Sequence, residues 1–246
     1  ANTIEWETKL KNSTINNSYV YSFYKLDSKQ ALDNIYRDYT TLLNTISHTQ
    51  YNTFSKISEH GWQTLISQQI KKTHFFNYGI RFNGRTFTVN TLNATIKDST
   101  NTILQQDHIT NPKVNTFDFY AFADYKLNWK NKMELNAGVQ FFTYYVNKKT
   151  FFYPQPRAEI IYHPILGMSL RASVLRTVQP MHLLTNNTGD ILNDVWVPAT
   201  AKVAPETAWQ YSGGIQYEHP KGYIASIDGY YKTMQHLTEY KYGTTF

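Results

Sequence analysis

Eight histidines are the residues of this chain best suited to metal or haem chemistry. No two of them stand at a metal-ligand spacing on one predicted element, and no HExxH motif occurs. His182, which follows Met181 between two predicted strands, lies in a predicted loop where a haem, a metal or another ligand could reach it. The alternative interpretation is a loop histidine bonded to the backbone. The sequence predicts no resident metal and no cofactor.

The side chains needed for enzyme chemistry do not form a recognisable set. Asp118 and Asp124 share one face of a predicted strand, but six residues of strand separate them by about 20 Å, too far for a glycosidase pair. GxSxG, GxGxxG and Walker motifs are absent. The chain has no cysteine, which excludes thiol nucleophiles, disulfides and thiolate-held metals. We therefore predict that the protein is not an enzyme.

The composition indicates a surface with both apolar parts and polar parts that contact water. Phe, Tyr and Trp make up 16% of the residues, whereas charged residues make up only 17%, against about 25% in a typical soluble domain. The net charge of +6 is spread along the chain, with only short basic pairs such as Lys71–Lys72. Nucleic acid is therefore not a predicted partner.

Apolar and polar residues alternate through much of the chain, which is the period of a β-strand. The pattern is clearest where apolar residues occupy every second position from Met133 to Phe141. Ten strands are predicted in this way, over residues 3–10, 17–24, 56–70, 74–93, 117–129, 133–141, 152–162, 168–174, 209–217 and 223–235. The prediction is an all-β chain with antiparallel strands.

The links between the predicted strands alternate in length. Short links with turn residues lie at 71–73, 130–132, 163–167 and 218–222, and long polar links lie at 25–55, 92–115 and 177–206. Transmembrane β-barrels of the outer membrane show this asymmetry, with tight periplasmic turns and long extracellular loops. Spanning strands of about 10 residues with apolar residues at alternate positions also escape hydropathy scans. A transmembrane barrel is therefore the predicted architecture.

The barrel prediction separates two groups of candidate functional residues. Polar residues on the inward strand face are expected to line the lumen or contact a plug, and the set includes Arg157, Glu159, Arg171 and Asp228. An inward arginine on a central strand needs a carboxylate partner, which favours Arg171 in particular. Ligand or partner contacts are expected in the long links, because loops on a rigid scaffold carry recognition. The candidates there are Tyr36, Tyr39, His182 and Trp196.

The direction of the strands indicates how much of a barrel this chain contains. With the short turns on the periplasmic side, strand 3–10 begins and strand 223–235 ends on the extracellular side. Complete outer-membrane barrels have both ends in the periplasm. We therefore expect residues 1–246 to form a single, incomplete domain, an internal part of a larger barrel.

Residues 157–246 carry an ordered series of short motifs that resembles TonB-dependent outer-membrane receptors, in particular those of Bacteroidetes. The series comprises Pro156–Arg157, Gln179 to Asn186, Asp194 to Thr200, Pro205–Glu206, Tyr230 to Met234 and Glu239 to Gly243. The resemblance implies a 22-stranded barrel, integral to the bacterial outer membrane and plugged by a separate domain that is absent from this chain. It also implies energised import of a scarce nutrient, such as a siderophore, cobalamin, haem, a glycan or a peptide. The implied partners are outer-membrane lipid, the plug domain, the TonB complex, a surface lipoprotein and the nutrient ligand.

Three other classes of function compete with the import receptor. A passive porin needs a constriction of charged side chains on a folded-in loop, and the long links show no such cluster. A soluble β-rich surface binding protein would carry polar residues on the outward strand faces, whereas Met133, Leu135, Ala137 and Val139 are apolar. An outer-membrane hydrolase lacks any catalytic set. The import receptor is therefore the leading prediction.

Overall fold

The computed structural model describes residues 1–37, 44–97, 103–106, 113–130, 132–186 and 193–239. Thirteen strands occur in these residues. They are β1 (Asn2–Lys9), β2 (Ser13–Arg37), β3 (Asn44–Lys71), β4 (His74–Lys97), β5 (Ile103–Gln106), β6 (Lys113–Trp129), β7 (Met133–Val146), β8 (Lys149–Tyr162), β9 (Met168–Gln179), β10 (Met181–Asn186), β11 (Asn193–Pro198), β12 (Glu206–Glu218) and β13 (Ile224–Gln235). The described residues contain no helix with the length and apolar character that crossing a membrane requires.

Ten of the strands form one antiparallel meander. Their order is β1-β2-β3-β4-β6-β7-β8-β9-β12-β13, β5 adds to one edge of β4, and β10 and β11 form a separate hairpin. Tight links join several of the neighbouring pairs, such as the turn between β6 and β7, where Lys130 takes a positive φ of 50°. The prediction of ten antiparallel strands is confirmed.

The pairing register gives the sheet two chemically different faces. On the face that we call the outer face, Leu135 lies opposite Leu127 and Ile160, and Phe82 lies opposite Trp62 and Phe119. On the inner face, Gly138 lies opposite Asp124 and Arg157. Because side chains alternate between faces, one register sorts the apolar set to one side and the polar set to the other.

The long links predicted from the sequence contain more strand than expected, and that part of the prediction is wrong. β2 and β3 continue in one ladder from Lys25↔Lys56 to Arg37↔Asn44, so most of the predicted loop 25–55 is a hairpin arm. Polar residues on both faces of this arm conceal the strand period. The predicted loops 92–115 and 177–206 likewise contain β5 and the β10–β11 hairpin.

The ladder between β8 and β9 stops part-way. Backbone pairing runs from Tyr162↔Leu170 only to Arg157↔Leu175. Beyond that point Pro154 and Pro156 have no N–H to donate. Side chains replace the ladder there, since the Val178 N–H donates to Oε1 of Gln155 at 3.2 Å and Nη1 of Arg176 donates to the Pro154 carbonyl at 3.2 Å.

Candidate functional site

The β10–β11 hairpin and the segment that follows it cover part of the inner face. Phe142, Tyr144 and Val146 of β7 are fully buried there together with Ala199, and the Tyr144 hydroxyl donates to the Ala199 carbonyl at 2.8 Å. β11 also lies against β3 and β4. The hairpin is therefore packed onto the sheet, and it closes over the end of the inner face that carries the long links.

A buried group of charges lies on this part of the inner face. Arg85 of β4 donates through Nη2 to Oε1 of Glu59 on β3 at 2.9 Å, and through Nη1 to Oδ2 of Asp118 on β6. Arg85 is 9% exposed and Asp118 is 0% exposed. One guanidinium between two carboxylates leaves a formal charge of −1, and burial without pairing would be costly. The pairing therefore holds three strands together.

Some polar atoms of the charge cluster lack hydrogen-bond partners. Oδ1 of Asp118, Nε of Arg85 and Oγ1 of Thr116 are buried, and none has a hydrogen-bond partner among the described residues. Buried polar atoms in folded proteins almost always find partners. The cluster could therefore accept further hydrogen bonds from a ligand, from water or from another segment of polypeptide.

Two ion pairs on the inner face cross a whole strand, each above a glycine. Arg157 on β8 reaches Asp124 on β6 with Nε–Oδ1 and Nη2–Oδ2 distances of 2.6 and 2.5 Å. Gly138 of the intervening β7 lies below, and a Cβ there would collide with the Asp124 carboxylate. Arg171 on β9 reaches Asp228 on β13 in the same way, at 2.9 and 3.2 Å, above Gly214 of β12.

The first of these ion pairs lines a concave pocket. The pocket has a volume of about 590 Å³, and Asp124, Arg157, Glu159, Ser173 and Arg176 are among its lining residues. Glu159 accepts a hydrogen bond from Nδ2 of Asn136 at 3.0 Å. Carboxylates and guanidinium groups therefore face the same pocket, as suits a polar ligand or a docked polar segment.

His182, one of the residues predicted to contact ligand, is almost fully buried. It is 1% exposed, and its Nδ1 lies 2.9 Å from Oε1 of Glu206 and 3.1 Å from Oγ1 of Thr238. Its Nε2 is buried without a partner among the described residues. The ring thus ties the start of β10 to the start of β12 and to the segment after β13. Its contact with ligand stays a prediction.

The other predicted contacts are spread over different elements. Trp196 is half-buried on β11 and lies opposite Leu183. Tyr36 belongs to β2, where it lies opposite Thr45, and Tyr39 lies outside the described residues. The structure brings His182 and Trp196 together on one hairpin and places Tyr36 on the β2–β3 arm. Within the described part of the chain, no group of three or more His, Cys, Asp or Glu residues is arranged to hold a metal ion.

Comparison with known families identifies the chain. The family model described as "TonB dependent receptor-like, beta-barrel" matches residues 1–246. The chain belongs to this family. The match covers every strand of the TonB-dependent receptor barrel described above, and it confirms the family that the motifs of residues 157–246 predicted. The Bacteroidetes type stays a prediction. No curated protein sequence matched the chain.

Solved structures share the fold of this TonB-dependent receptor barrel at low sequence identity. The ferric-catecholate import receptor Fiu of E. coli aligns with a TM-score of 0.62 and 16% identity, over 94% of this chain and 44% of Fiu. The copper transporter OprC aligns with a TM-score of 0.54 and 12% identity, over 95% and 44%. The FrpB iron transporter of Neisseria meningitidis gives 0.53 and 10%, over 94% and 44%. The chain therefore spans under half the length of these proteins.

Sequence reasoning missed the charge cluster around Arg85 and the role of Glu206. Alternation did place Asp118 on the inner face, and Arg85 lies on the same face of the neighbouring strand. The missing information was the register between β4 and β6, which brings Asn83 opposite Asp118 and Arg85 one ladder step away, opposite Thr116. Pairing these strands through their apolar residues would have placed the guanidinium beside the carboxylate.

Proposed function

We propose that this barrel domain is part of an integral outer-membrane receptor that imports a scarce nutrient with energy delivered through TonB. The observation that carries the proposal is the two-faced sheet of ten antiparallel strands, in a chain of the TonB-dependent receptor family. The apolar outer face suits lipid, which requires all backbone groups to be paired within the sheet. The inner face, with its ion pairs and pocket, suits a wet lumen.

The inner face supports specific roles for the predicted residues in this function. Arg157 and Glu159 line the pocket of about 590 Å³ and are proposed to contact the plug domain or passing substrate. Arg171 and Asp228 are proposed to do the same nearer the edge of the sheet. The β10–β11 hairpin, with His182 and Trp196, is proposed to form part of the outer binding surface, and Tyr36 and Tyr39 are also proposed to contact the ligand.

The substrate class is proposed from both chemistry and structural likeness. Two of the neighbours are named as a ferric-catecholate import receptor and a copper transporter, so metal complexes are the first substrates to test. Cobalamin, haem, glycans and peptides complete the panel. The proposed partners are the plug domain and the TonB complex, together with a surface lipoprotein.

Uptake measurements in cells test the proposal directly. The full-length protein that contains this chain is expressed in cells lacking their own receptors, with and without a functional TonB complex. Uptake of ⁵⁵Fe-labelled catecholate siderophore, ⁵⁷Co-cobalamin and haem is then measured. We expect at least one substrate to accumulate only when TonB is functional. Accumulation that persists without TonB would favour the passive porin instead, and a protein absent from the outer membrane would overturn both.

A further inference from the structure

The sheet opens between β8 and β9 beyond the last pair of their ladder. Backbone pairing between these two strands ends at Arg157↔Leu175. On their other sides both strands stay paired, β8 with β7 back to its first residue and β9 with β12 as far as its last. Residues 149–156 of β8 and 176–179 of β9 are therefore neighbours without a backbone ladder between them. We call this opening the seam.

The seam lies within the membrane-spanning height of the sheet. Tyr162 is exposed at the short-turn end of β8. Pro156 lies about 16 Å from it along the membrane normal, given about 3.4 Å per residue and a strand tilt of about 40°, and the apolar band of such barrels is about 25 Å tall. Unpaired backbone at this depth is tolerated only where protein covers it or where it lines a water-filled cavity. The seam is therefore expected to open onto water on its inner side.

Two prolines prevent a further strand from filling the seam. The Pro154 carbonyl accepts a hydrogen bond from Nη1 of Arg176 on β9, so the backbone of Pro154 is directed towards β9, as is that of Pro156 two positions further on. Neither proline has an N–H to donate. Prolines at such positions protect a strand edge against pairing with another segment of chain. A strand of polypeptide is therefore not the occupant that the seam suits.

Apolar side chains flank the seam on the outer face. On the β8 side the exposed rings of Phe141 and Phe152 stack with their centres 5.9 Å apart, and Phe141 lies opposite Pro154. Beyond β9, Trp209 and Tyr211 of β12 stack with their centres 6.3 Å apart. A hydrocarbon chain lying along the seam would bury apolar surface against both groups.

The pocket on the inner face extends to the seam. Arg157 and Leu175, the last residues of the ladder, line the pocket of about 590 Å³, and so do Gln155 and Arg176, which are the next residue of each strand whose side chain borders the seam. Polar and charged groups line this pocket. The seam therefore has a polar cavity on its inner side and apolar side chains on its outer side.

Arg176 places a positive charge where the pocket meets the seam. Its guanidinium lies 5.9 Å from the centre of the Tyr153 ring and 5.8 Å from that of Trp209. Its Nε is buried and has no hydrogen-bond partner among the described residues, whose ion pairs do not include Arg176. A half-buried guanidinium binds an anionic group through charge-assisted hydrogen bonds. An anion is therefore the complementary ligand at this end of the pocket.

We propose that the pocket and the seam together bind an acylated anion, with its acidic group at Arg176 and its acyl chain between the apolar sides of the seam. This inference rests on the proposed function, for which it specifies an amphiphilic substrate. Such a molecule matches both sides of the seam, because its polar end lies in the water-filled pocket and its chain lies in the lipid. A wholly polar substrate would leave the apolar sides of the seam unused.

Photolabelling with a fatty acid tests the proposal. The full-length protein in phosphatidylcholine nanodiscs is labelled with dodecanoate that carries a diazirine on its chain, and the labelled residues are mapped by mass spectrometry. We expect labelling near Phe152 and Trp209 that excess dodecanoate displaces. Dodecanol, which has the same chain without the charge, should displace the label on the order of tenfold less effectively. Acetate, which has the charge without the chain, should not displace it at millimolar concentration.

Arginine variants test the charge at the seam. We expect R176Q to lower the affinity for dodecanoate by on the order of tenfold, because a charge-assisted hydrogen bond is lost. R176K retains the positive charge and should retain most of the affinity. The matched control is R81Q, because Arg81 also lies over a tyrosine ring, 5.4 Å from the centre of Tyr120, but away from the seam. R81Q should bind dodecanoate as the wild type does.

Other outcomes would overturn the inference. Equal affinity of R176Q and the wild type, equal displacement by dodecanol, or labelling spread evenly over the outer face would each do so. Displacement by phosphatidylglycerol as effective as that by dodecanoate would also do so, because the occupant would then be a membrane phospholipid. If R176Q does not fold, the comparison of dodecanoate, dodecanol and acetate on the wild type still decides.

The uptake assay separates this inference from the proposed function. TonB-dependent uptake of a substrate without an acyl chain, together with no displaceable labelling at the seam, would defeat the inference alone. Displaceable labelling in a protein whose uptake does not depend on TonB would defeat the proposed function alone.

Discussion

Arg157 and Asp124 form a two-point ion pair although they lie on strands that are not neighbours. The guanidinium on β8 passes over Gly138 of β7 to reach the carboxylate on β6. The strands are about 9.6 Å apart, so the pair needs the long arginine side chain and an empty position between its ends. Arg171 and Asp228 repeat the arrangement over Gly214. Glycine at these positions is thus explained by the charge pair that crosses it.

A side chain at Gly138 should therefore break the ion pair. In Gly138→Ala the new Cβ would collide with the Asp124 carboxylate and approach the Ala123 carbonyl. We expect a loss of about 1–3 kcal/mol in the free energy of unfolding, typical of overpacking, measured by urea titration in detergent. The matched control is Gly84→Ala, because a Cβ there meets nothing within 4 Å. Equal stability of the two variants would contradict the explanation.

Burial should decide how much each carboxylate contributes to stability. Asp118→Asn replaces the buried carboxylate that accepts from Arg85 by a neutral amide, and a loss of about 2 kcal/mol is expected, typical of a hydrogen bond to a charged group. Asp228→Asn breaks a pair whose two side chains are 45% and 54% exposed, so the expected loss is below about 1 kcal/mol. Urea unfolding of both variants measures the difference. A larger loss for Asp228→Asn than for Asp118→Asn would contradict the conclusion that the buried carboxylate contributes more to stability.

The Tyr144 hydroxyl should help to hold the β10–β11 hairpin on the sheet. Tyr144→Phe removes the hydrogen bond to the Ala199 carbonyl, at a cost of about 1 kcal/mol. We expect protease cleavage within the hairpin to become several-fold faster in the folded protein. Tyr211→Phe is the control, since Tyr211 is 48% exposed on the outer face. Unchanged cleavage in Tyr144→Phe would show that packing alone holds the hairpin.

Arg171 has a second expected role, in seating the plug domain of the full-length receptor. Arg171→Ala should loosen the plug, so that cells expressing the variant admit large antibiotics such as vancomycin more readily. Asp228→Asn should produce a smaller leak, because it leaves the guanidinium in place. Growth inhibition across a vancomycin series measures the leak. Unchanged uptake together with unchanged antibiotic sensitivity would show that Arg171 does not help to seat the plug domain and only pairs with Asp228.

The sequence predicted the strands and their faces better than it predicted the contacts between them. Alternation placed Asp118 and Asp124 on one face, and it led to the expectation that Arg171 needs a carboxylate partner. It did not identify Asp228 as that partner, because register is a property of two paired strands and not of either strand alone.

The β2–β3 arm and the β10–β11 hairpin were the elements that the sequence predicted least well. Residues 25–37 and 44–55 alternate only weakly, since polar residues on both faces remove the signal of a strand with one buried face. The packing of Ala199 against Phe142 and Tyr144 joins residues more than 50 positions apart. No local pattern encodes such a contact, so His182 was assigned to an open loop although its ring is buried.

The alternation of lipid-facing and lumen-facing residues along β7 is the claim that most needs a direct measurement. Residues 1–246 contain no cysteine, so once any cysteine elsewhere in the full-length protein is replaced by serine, single cysteines can be placed along β7 at Leu135, Asn136, Ala137, Val139 and Gln140. Each is spin-labelled in native-like bilayers, and collision rates with oxygen and with a water-soluble nickel chelate are compared. We predict high oxygen accessibility and low nickel accessibility at 135, 137 and 139, and low oxygen accessibility at 136 and 140. Uniform accessibility along the strand would contradict the membrane-barrel account.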